Sequence, residues 1–236
     1  MKKLYLLLFV SLMLTLLGVR SAAQNYPGGI ATAPAAWYKP EGVTAASWSD
    51  VSGNNLNLTA TGSPTVTAGD AAHNFNTWTT GYSASNYFNY TGTNYTVFGN
   101  YLTTGWLYMP LTIFGTARAT AATGGELTGI DNESNNGAEP GFGLGGLYPR
   151  FYRYSYGIVD ANTSSAGGQA VTLNQTAVYT CQPPYSSTPL STGTLMMGLN
   201  GTQTAITGVN ATSSITGPYL KIGYDGWTFG GFPGDI

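Results

Sequence analysis

The most informative stretch of this chain reads Trp48-Ser49-Asp50-Val51-Ser52-Gly53-Asn54. It predicts the end of a β-strand that runs into a tight polar turn. Gly53 can adopt a positive φ there, and the Asp, Ser and Asn side chains can hydrogen-bond to nearby backbone groups. We therefore expect Asp50 to organise the turn and Trp48 to pack in the core, together with Trp37 from the preceding segment.

Residues 1–23 have the pattern of a secretory signal peptide. Lys2 and Lys3 precede an apolar run at 4–17, and Ser21-Ala22-Ala23 provides a small-residue cleavage site before Gln24. A bilayer-spanning helix needs about 20 apolar residues, so the shorter run favours cleavage over a membrane anchor. No later segment is apolar enough to span. We expect the mature chain, 24–236, to be a single domain that is secreted or displayed at the cell surface.

The charge of the mature chain argues against nucleic acid and anionic membranes as partners. The full chain has eight Lys and Arg and ten Asp and Glu residues, and three of the cations, Lys2, Lys3 and Arg20, belong to the predicted leader. Five cations against ten anions leave a net charge of −5, whereas phosphate backbones require clustered cations. Only 8% of the residues are charged and 13% are aromatic, which is typical of a folded extracellular β-protein and not of disorder.

Cys181 and His73 are the only residues of their kinds. A single cysteine forms no intramolecular disulfide, and we expect Cys181 to be a small buried apolar residue. A histidine-based zinc site or a Ser-His-Asp triad would depend entirely on His73, which argues against both.

The mature chain has an all-β pattern. No window keeps an apolar period of 3.6 residues, while short runs of β-branched and aromatic residues recur between Gly, Asn, Pro and Ser. Asn200-Gly201 predicts a hairpin that pairs 195–199 with 202–206, and segments 133–140 and 183–193 are predicted loops. The predicted strands are 35–38, 56–60, 87–90, 111–118, 125–130, 141–144, 150–156, 177–182, 194–199, 203–207 and 219–223.

Several short motifs occur in an order that resembles a known family. In chain order they are Ala36-Trp37-Tyr38-Lys39, Trp48-x-Asp50-x-Ser52-Gly53-Asn54, Asn74-Phe75-Asn76, Leu111-Thr112-Ile113-Phe114-Gly115, Gly141-Phe142-Gly143-Leu144, Asn200-Gly201-Thr202, Leu220-Lys221-Ile222-Gly223 and Phe232-Pro233-Gly234-Asp235-Ile236. The series resembles the laminin-G-like, concanavalin A-like jelly roll of secreted surface proteins of Bacteroidetes. The resemblance implies an all-β, two-sheet antiparallel sandwich that serves as a non-catalytic binding or adhesion module at the surface of a Gram-negative bacterium.

The resemblance also implies that the chain is incomplete at its C-terminus. In the family, Gly-Asp-Ile normally begins a phrase that continues through an apolar strand, whereas here Ile236 is the last residue. Without that final strand, we expect the strand at 35–38 to have a free hydrogen-bonding side. Such modules usually have neighbouring domains in the parent chain.

Aromatic residues are the leading candidates for ligand binding, since sugars present apolar C–H faces to flat rings. As a strand, the segment 150–156 places Arg150, Tyr152, Tyr154 and Tyr156 on one face. The alternative is that these tyrosines pack across strands. Trp227 and Phe229, in a glycine-rich loop, are further candidates, with Trp227 as a cap of the core as the alternative.

Asp131, Asn132 and Glu133 are the candidate metal ligands. The ion would be calcium, which takes six to eight oxygen ligands, and Asp50 with Asn54 is a second place for it. A retaining glycosidase needs two carboxylates about 5–5.5 Å apart, and Asp131 with Glu133 is the one pair on alternate positions. Because 132–137 has the composition of a turn, we expect a solvated loop rather than a catalytic site.

Three functions follow from these observations, in order of preference. The first is a module without a cofactor that binds a polysaccharide or glycoconjugate. The second is a structural spacer without a small ligand, and the third is a laminarinase-type glycosidase.

Overall fold

The computed structural model describes residues 33–70, 75–79, 85–90, 112–131, 141–153, 159–182, 192–210, 219–224 and 231–236. The chain divides into two compact units, Met1–Ala35 and Ala36–Ile236, and every strand described below belongs to the second. Several features predicted from the sequence lie outside the described residues, namely the signal peptide, His73, Asn132, Glu133, Tyr154, Tyr156, Trp227, Phe229 and the loop at 133–140. Among the described residues, no helix has the length and apolar character needed to cross a bilayer.

The described part of the chain forms sixteen β-strands and one short 3-10 helix, Thr163–Ala166. The strands are β1 Tyr38–Val43, β2 Ser47–Asp50, β3 Leu58–Thr61, β4 Thr65–Asp70, β5 Phe75–Thr79, β6 Tyr87–Asn89, β7 Ile113–Ala119, β8 Gly125–Asp131, β9 Gly141–Gly145, β10 Tyr148–Arg153, β11 Val159–Asn162, β12 Thr176–Gln182, β13 Thr192–Leu199, β14 Thr202–Asn210, β15 Tyr219–Ile222 and β16 Gly234–Asp235.

These strands form two antiparallel sheets, which confirms the predicted all-β sandwich. The described strands of one sheet are nine, in the order β1-β2-β3-β6-β15-β8-β9-β10-β11, and those of the other are seven, in the order β14-β13-β12-β7-β16-β5-β4. The larger core cluster contains residues of both sheets, such as Phe142 and Phe151 from one and Tyr179, Leu195 and Met197 from the other. The two sheets therefore pack face to face, as in other sandwiches.

A second core cluster lies under the other half of the nine-stranded sheet. Trp48 is its central ring, 6% exposed, with Tyr38 and Phe88 at centroid distances of 5.8 and 5.7 Å. The indole Nε1 donates to the backbone oxygen of Lys39 at 2.7 Å, so the ring is buried without losing its hydrogen bond. The last residue, Ile236, packs against both clusters.

The hairpin predicted at Asn200-Gly201 is confirmed. The two residues have φ values of 51° and 85°, and they connect Leu199 to its partner Thr202. Positive φ at both turn positions matches the right-handed twist of the flanking strands. The same register pairs Leu195 with Ile206, as the sequence predicted.

The first strand differs from its prediction. It begins at Tyr38 rather than ending there, and it contains Pro40, which cannot donate to a ladder and is confined to edge strands. This strand, β1, is at the edge of the nine-stranded sheet, and among the described strands its one sheet partner is β2. Segment 183–193 is also not all loop, because β13 begins at Thr192.

Candidate functional site

A continuous row of aligned residues crosses the nine-stranded sheet on the face directed away from the core. Its place follows from strand alternation, because Leu58, Phe88 and Phe142, each next to a member of the row, belong to the core. The ladder registers align, from β3 to β11, Thr59, Asn89, Lys221, Gly129, Gly141, Tyr152 and Asp160.

Lys221 is the centre of a small aromatic cluster on this row. Its Nζ lies 5.3 Å from the ring centroid of Tyr87 and 5.9 Å from that of Tyr224, and the two rings are 5.4 Å apart at 44°. Such distances allow cation–π attraction. Lys221 is 3% exposed and its neighbour Asn89 is 8% exposed, although both are on the face that points away from the core. The site is therefore a buried lysine flanked by two partly exposed tyrosine rings.

Two glycines follow Lys221 along the row. Gly129 on β8 and Gly141 on β9 lie between Lys221 on β15 and the Tyr152 position on β10. With adjacent strands about 4.8 Å apart, this interval spans roughly 14 Å of sheet with no side chain beyond hydrogen. Gly129 is buried, as are Lys221 and Asn89 before it in the row, so this part of the outer face is shielded from solvent.

A third glycine, Gly143, is required by the close approach of the neighbouring strand β8. A Cβ at this position would meet the backbone oxygen of Gly125 at 2.1 Å and the Cα of Glu126 at 2.7 Å. The strand β8 has a bulge at this point, between Glu126 and Thr128. A bulge brings one backbone close to its neighbour, so Gly143 serves the sheet and is not counted as part of the candidate site.

Arg150 is placed beside the row and is buried. It is 8% exposed and aligned with Gly143 on one side and with Asn162 on the other. Its Cδ would be 2.8 Å from a Cβ built on Gly145, so its stem lies across that glycine. Phe151, the next residue, is in the core opposite Phe142, which agrees with the predicted alternation at these two residues.

Of the acidic candidates, only the backbone of Asp131 is described, and Asn132 and Glu133 lie outside the described residues. Asp131 is the last residue of β8, aligned with Tyr219, and Glu126 is 0% exposed on the same strand. Burial, together with the nearby Glu126 carboxylate, raises the pKa of the Cys181 thiol well above its ordinary value. Within the ranges that the structure describes, no group of three His, Cys, Asp or Glu side chains could hold a metal ion.

Asp50 shapes the turn, as predicted. Its Oδ1 accepts the backbone N–H of Trp37 and of Ser52, both at 2.9 Å. Its Oδ2 accepts the Ser52 hydroxyl at 2.7 Å and the backbone N–H of Leu56 at 3.0 Å. Gly53 has a φ of 97°. Both carboxylate oxygens are thus used by turn donors, which favours the structural role of Asp50 over the alternative of a calcium ligand.

Trp37 is a correction to the sequence-based expectation. It is only partly buried and belongs to neither core cluster, and the Nζ of Lys39 lies 4.3 Å from its ring centroid. The chain enters the sheet only at Tyr38, so Trp37 lies before the alternation that buries side chains begins.

Sequence reasoning missed the cluster of Lys221, Tyr87 and Tyr224. The usable signal was a lysine between Leu220 and Ile222 in an otherwise apolar strand, because a cation there must face away from the core. The sequence could not indicate that Tyr87, far away in the chain, would be its neighbour.

The fold has known counterparts, although no family model matches the chain and no curated protein matches it significantly. Domain 4 of AbnA, a GH43 extracellular arabinanase from Geobacillus stearothermophilus solved with arabinotriose, is similar with a TM-score of 0.51 at 14% identity, over 78% of this chain and 82% of that one. The binding domain of Paraclostridial Mosquitocidal Protein 1 gives 0.46 at 14% identity, over 76% and 45%. A receptor binding domain gives 0.44 at 16%, over 74% and 43%. The chain therefore shares the β-sandwich fold of the arabinanase domain.

Proposed function

We propose that this chain is a secreted, non-catalytic module that binds carbohydrate through the outer face of its nine-stranded sheet. The observation that carries the proposal is the row in which Lys221, flanked by Tyr87 and Tyr224, adjoins the glycine interval at Gly129 and Gly141. Aromatic rings next to a hydrogen-bond donor suit a sugar, since it presents apolar faces and hydroxyl groups together.

Each part of the row has a distinct role in this proposal. The tyrosine rings stack against the apolar face of a sugar, and the Lys221 ammonium donates to its hydroxyl groups. The glycines let the ring approach the backbone. The Tyr152 position, at the far end of the interval, provides a second stacking place, in keeping with the candidate set of Arg150, Tyr152, Tyr154 and Tyr156. The Trp227 and Phe229 loop remains a second candidate surface.

The wider setting belongs to the same proposal. The signal-peptide pattern and the resemblance to laminin-G-like jelly rolls support display on the surface of a Gram-negative bacterium of the Bacteroidetes, beside other domains. The arabinanase domain, which shares the fold and was solved with arabinotriose, makes neutral oligosaccharides the first probes.

A structural spacer is the second candidate, and one observation favours it. Lys221 and Asn89 are 3% and 8% exposed, so their cluster could serve to hold the sheet together instead of meeting a ligand. In that case the domain would separate other domains without binding a small molecule.

Binding to an array of plant and bacterial polysaccharides, followed by titration calorimetry with the best oligosaccharide, tests the proposal. Tyr224→Ala should weaken binding about five- to tenfold, because a stacked ring contributes on the order of 1 kcal/mol. Phe114→Ala is the matched control, since Phe114 is 53% exposed on the other sheet. Calcium at Asp131, Asn132 and Glu133 is tested by repeating the titration in a chelator.

Three results would count against the proposal. No binding across the array would favour the spacer. Equal losses of affinity in Tyr224→Ala and Phe114→Ala would mean that the binding site is not on this face. Hydrolysis of a bound polysaccharide that disappears in Glu133→Gln would instead establish a glycosidase.

A further inference from the structure

The turn between β13 and β14 is joined to a third strand, β12, through Asn200. The backbone N–H of Asn200 donates to the backbone oxygen of Val178 at 2.8 Å, and its Oδ1 accepts the N–H of Val178 at 2.9 Å. The side-chain oxygen thus takes the place of a ladder carbonyl, directly after the pair of Leu199 with Tyr179. Asn200 therefore turns the chain and also holds the hairpin against β12.

The same turn places an exposed asparagine directly before an unshielded glycine. Asn200 is exposed, and a Cβ built on Gly201 would have nothing within 4 Å. Because glycine has no side chain, its backbone nitrogen is accessible to hydroxide and offers little steric resistance to ring closure. An asparagine followed by glycine is therefore the pair in which the next backbone nitrogen most easily attacks the side-chain amide to form a succinimide.

The folded turn keeps the two reacting atoms apart. A succinimide is a five-membered ring, so the Cβ of Asn200 and the nitrogen of Gly201 must lie on the same side of the Cα–C bond. Asn200 has a φ of 51°, and residues in this left-handed region have a ψ of about +47°, which puts the two atoms nearly opposite each other. The hydrogen bond from Val178 also holds the side-chain amide in place. Both restraints must be released before the ring can close.

We propose that Asn200 is a site of spontaneous deamidation and that opening of the β13–β14 hairpin gates the reaction. In the open state, the Gly201 nitrogen gives its proton to hydroxide and attacks Asn200 Cγ. The Cγ–Nδ2 bond breaks, and the amide nitrogen takes a proton from water and leaves as ammonia. Water then opens the imide, at Cγ to give aspartate or at the main-chain carbonyl carbon to give isoaspartate. The whole sequence consumes one water, releases one ammonia and needs no oxidant or reductant.

The two products differ in what they do to the hairpin. Aspartate keeps an oxygen that can accept the N–H of Val178. Isoaspartate carries the main chain through Cβ and Cγ, which lengthens the two-residue turn that pairs Leu199 with Thr202. That turn requires a positive φ at both positions, and isoaspartate does not provide it. Each opening of the hairpin therefore risks an irreversible loss of the turn at the edge of the seven-stranded sheet.

The test follows the reaction in the full chain at pH 8.5, in buffer and in urea above the unfolding midpoint, with a synthetic peptide of residues 195–206 as the reference. Trypsin then separates the two Asn-Gly pairs of the sequence, Asn200-Gly201 in the fragment 154–221 and Asn136-Gly137 in the fragment 119–150. Fragment mass spectra locate each deamidated residue. Asn136 in the urea sample shows that the conditions support the reaction.

A pair of leucine variants distinguishes opening of the hairpin from unfolding of the whole domain. Leu199 and Leu58 are 2% and 1% exposed, but only Leu199 lies on β13, next to the turn. Leu199→Ala therefore loosens the hairpin directly, whereas Leu58→Ala removes a comparable core contact from the other sheet. Gly201→Ala is the chemical control, because a side chain on the attacking residue hinders ring closure even in urea.

We expect Asn200 to deamidate about tenfold or more slowly in the folded chain than in the peptide, and at the rate of the peptide in urea. In buffer, Leu199→Ala should increase the rate at Asn200 about threefold or more over Leu58→Ala. Equal rates in the folded chain and the peptide would overturn the gating, as would equal increases in the two leucine variants. No reaction at Asn200 in urea would overturn the site itself. The comparison of buffer with urea needs no variant to fold, and none of these outcomes depends on carbohydrate binding.

Discussion

Arg118 and Asp235 face each other across the centre of the seven-stranded sheet and are joined both by the ladder and by their side chains. Their side chains are 25% and 9% exposed, respectively, so the pair is partly shielded from water. Since β16 has only two residues, this contact and the hydrogen bond from the Thr79 hydroxyl help to hold the strand between β5 and β7.

Asp235→Asn should destabilise the domain by about 1–3 kcal/mol, because it removes the charge that Arg118 meets in a partly buried place. Urea unfolding measures the change. Glu41→Gln is the matched control, since Glu41 is exposed on the edge strand β1 and should change stability by less than about 0.5 kcal/mol. Equal effects of the two substitutions would contradict the role given to the pair.

Asp50→Asn should loosen the turn between β2 and β3. The amide keeps one oxygen, so of the two groups that now donate to Oδ2, the Ser52 hydroxyl and the Leu56 N–H, the backbone N–H loses its acceptor. We expect a loss of about 1–3 kcal/mol and faster amide exchange at Leu56. Unchanged exchange at that amide would show that the turn does not depend on the carboxylate.

Gly143→Ala should be among the most damaging small substitutions, because the added methyl group would meet the backbone of Gly125 and Glu126 and neither can move as a flexible side chain does. Gly201→Ala is the comparison. It introduces only the strain of a positive φ with nothing within 4 Å, which costs on the order of 1 kcal/mol. Thermal unfolding measures both variants. A larger loss of stability in Gly201→Ala than in Gly143→Ala would contradict the prediction.

Tyr179→Phe should raise the free energy of unfolding by about 1 kcal/mol. The ring is 0% exposed and packs edge-on against Phe232 at 6.2 Å, and its buried hydroxyl has no hydrogen-bond partner among the described residues. Removing such a hydroxyl while keeping the ring removes a desolvation cost. A clear loss of stability in urea unfolding would mean that the hydroxyl is satisfied.

Stability should fall as the pH rises above about 8.5, in part because of Cys181. Burial raises the pKa of its thiol in the folded protein, so the unfolded chain ionises first, at about pH 8.5. The stability that the neutral thiol contributes is fully present below that pH and is lost as the pH rises above it. Comparing free energies of unfolding at pH 7.5 and 9.5 should show a smaller fall in Cys181→Ala than in the parent. An equal fall would assign the effect to other groups.

The local prediction succeeded where a segment carries its own signal. Asn200-Gly201 predicted its hairpin and register because both turn positions require a positive φ. The Asp50 turn followed from short side chains that hydrogen-bond to their own neighbourhood. The strands β4, β5, β11 and β16 were not predicted. The Gly, Asp and Asn residues of β11 and β16 have little preference for strands, and all four strands depend on the partners that they pair with.

The candidate site, too, could be predicted from the sequence only in part. The alternation that buries Phe151 and turns Arg150 away from the core could be read from the sequence. The meeting of Lys221 with Tyr87 and Tyr224 could not, because it depends on which strands become neighbours.

By itself, the sequence determined the all-β class, the turns and the inward or outward face of most strands, because these depend on periods and on φ preferences within a few residues. Only the tertiary structure decided the strand order, and with it the row across Lys221, Gly129 and Gly141 and the place of β16 between β5 and β7. The physical reason is that the stability of a strand comes mainly from its cross-strand and core contacts, and these join residues that are far apart in the chain.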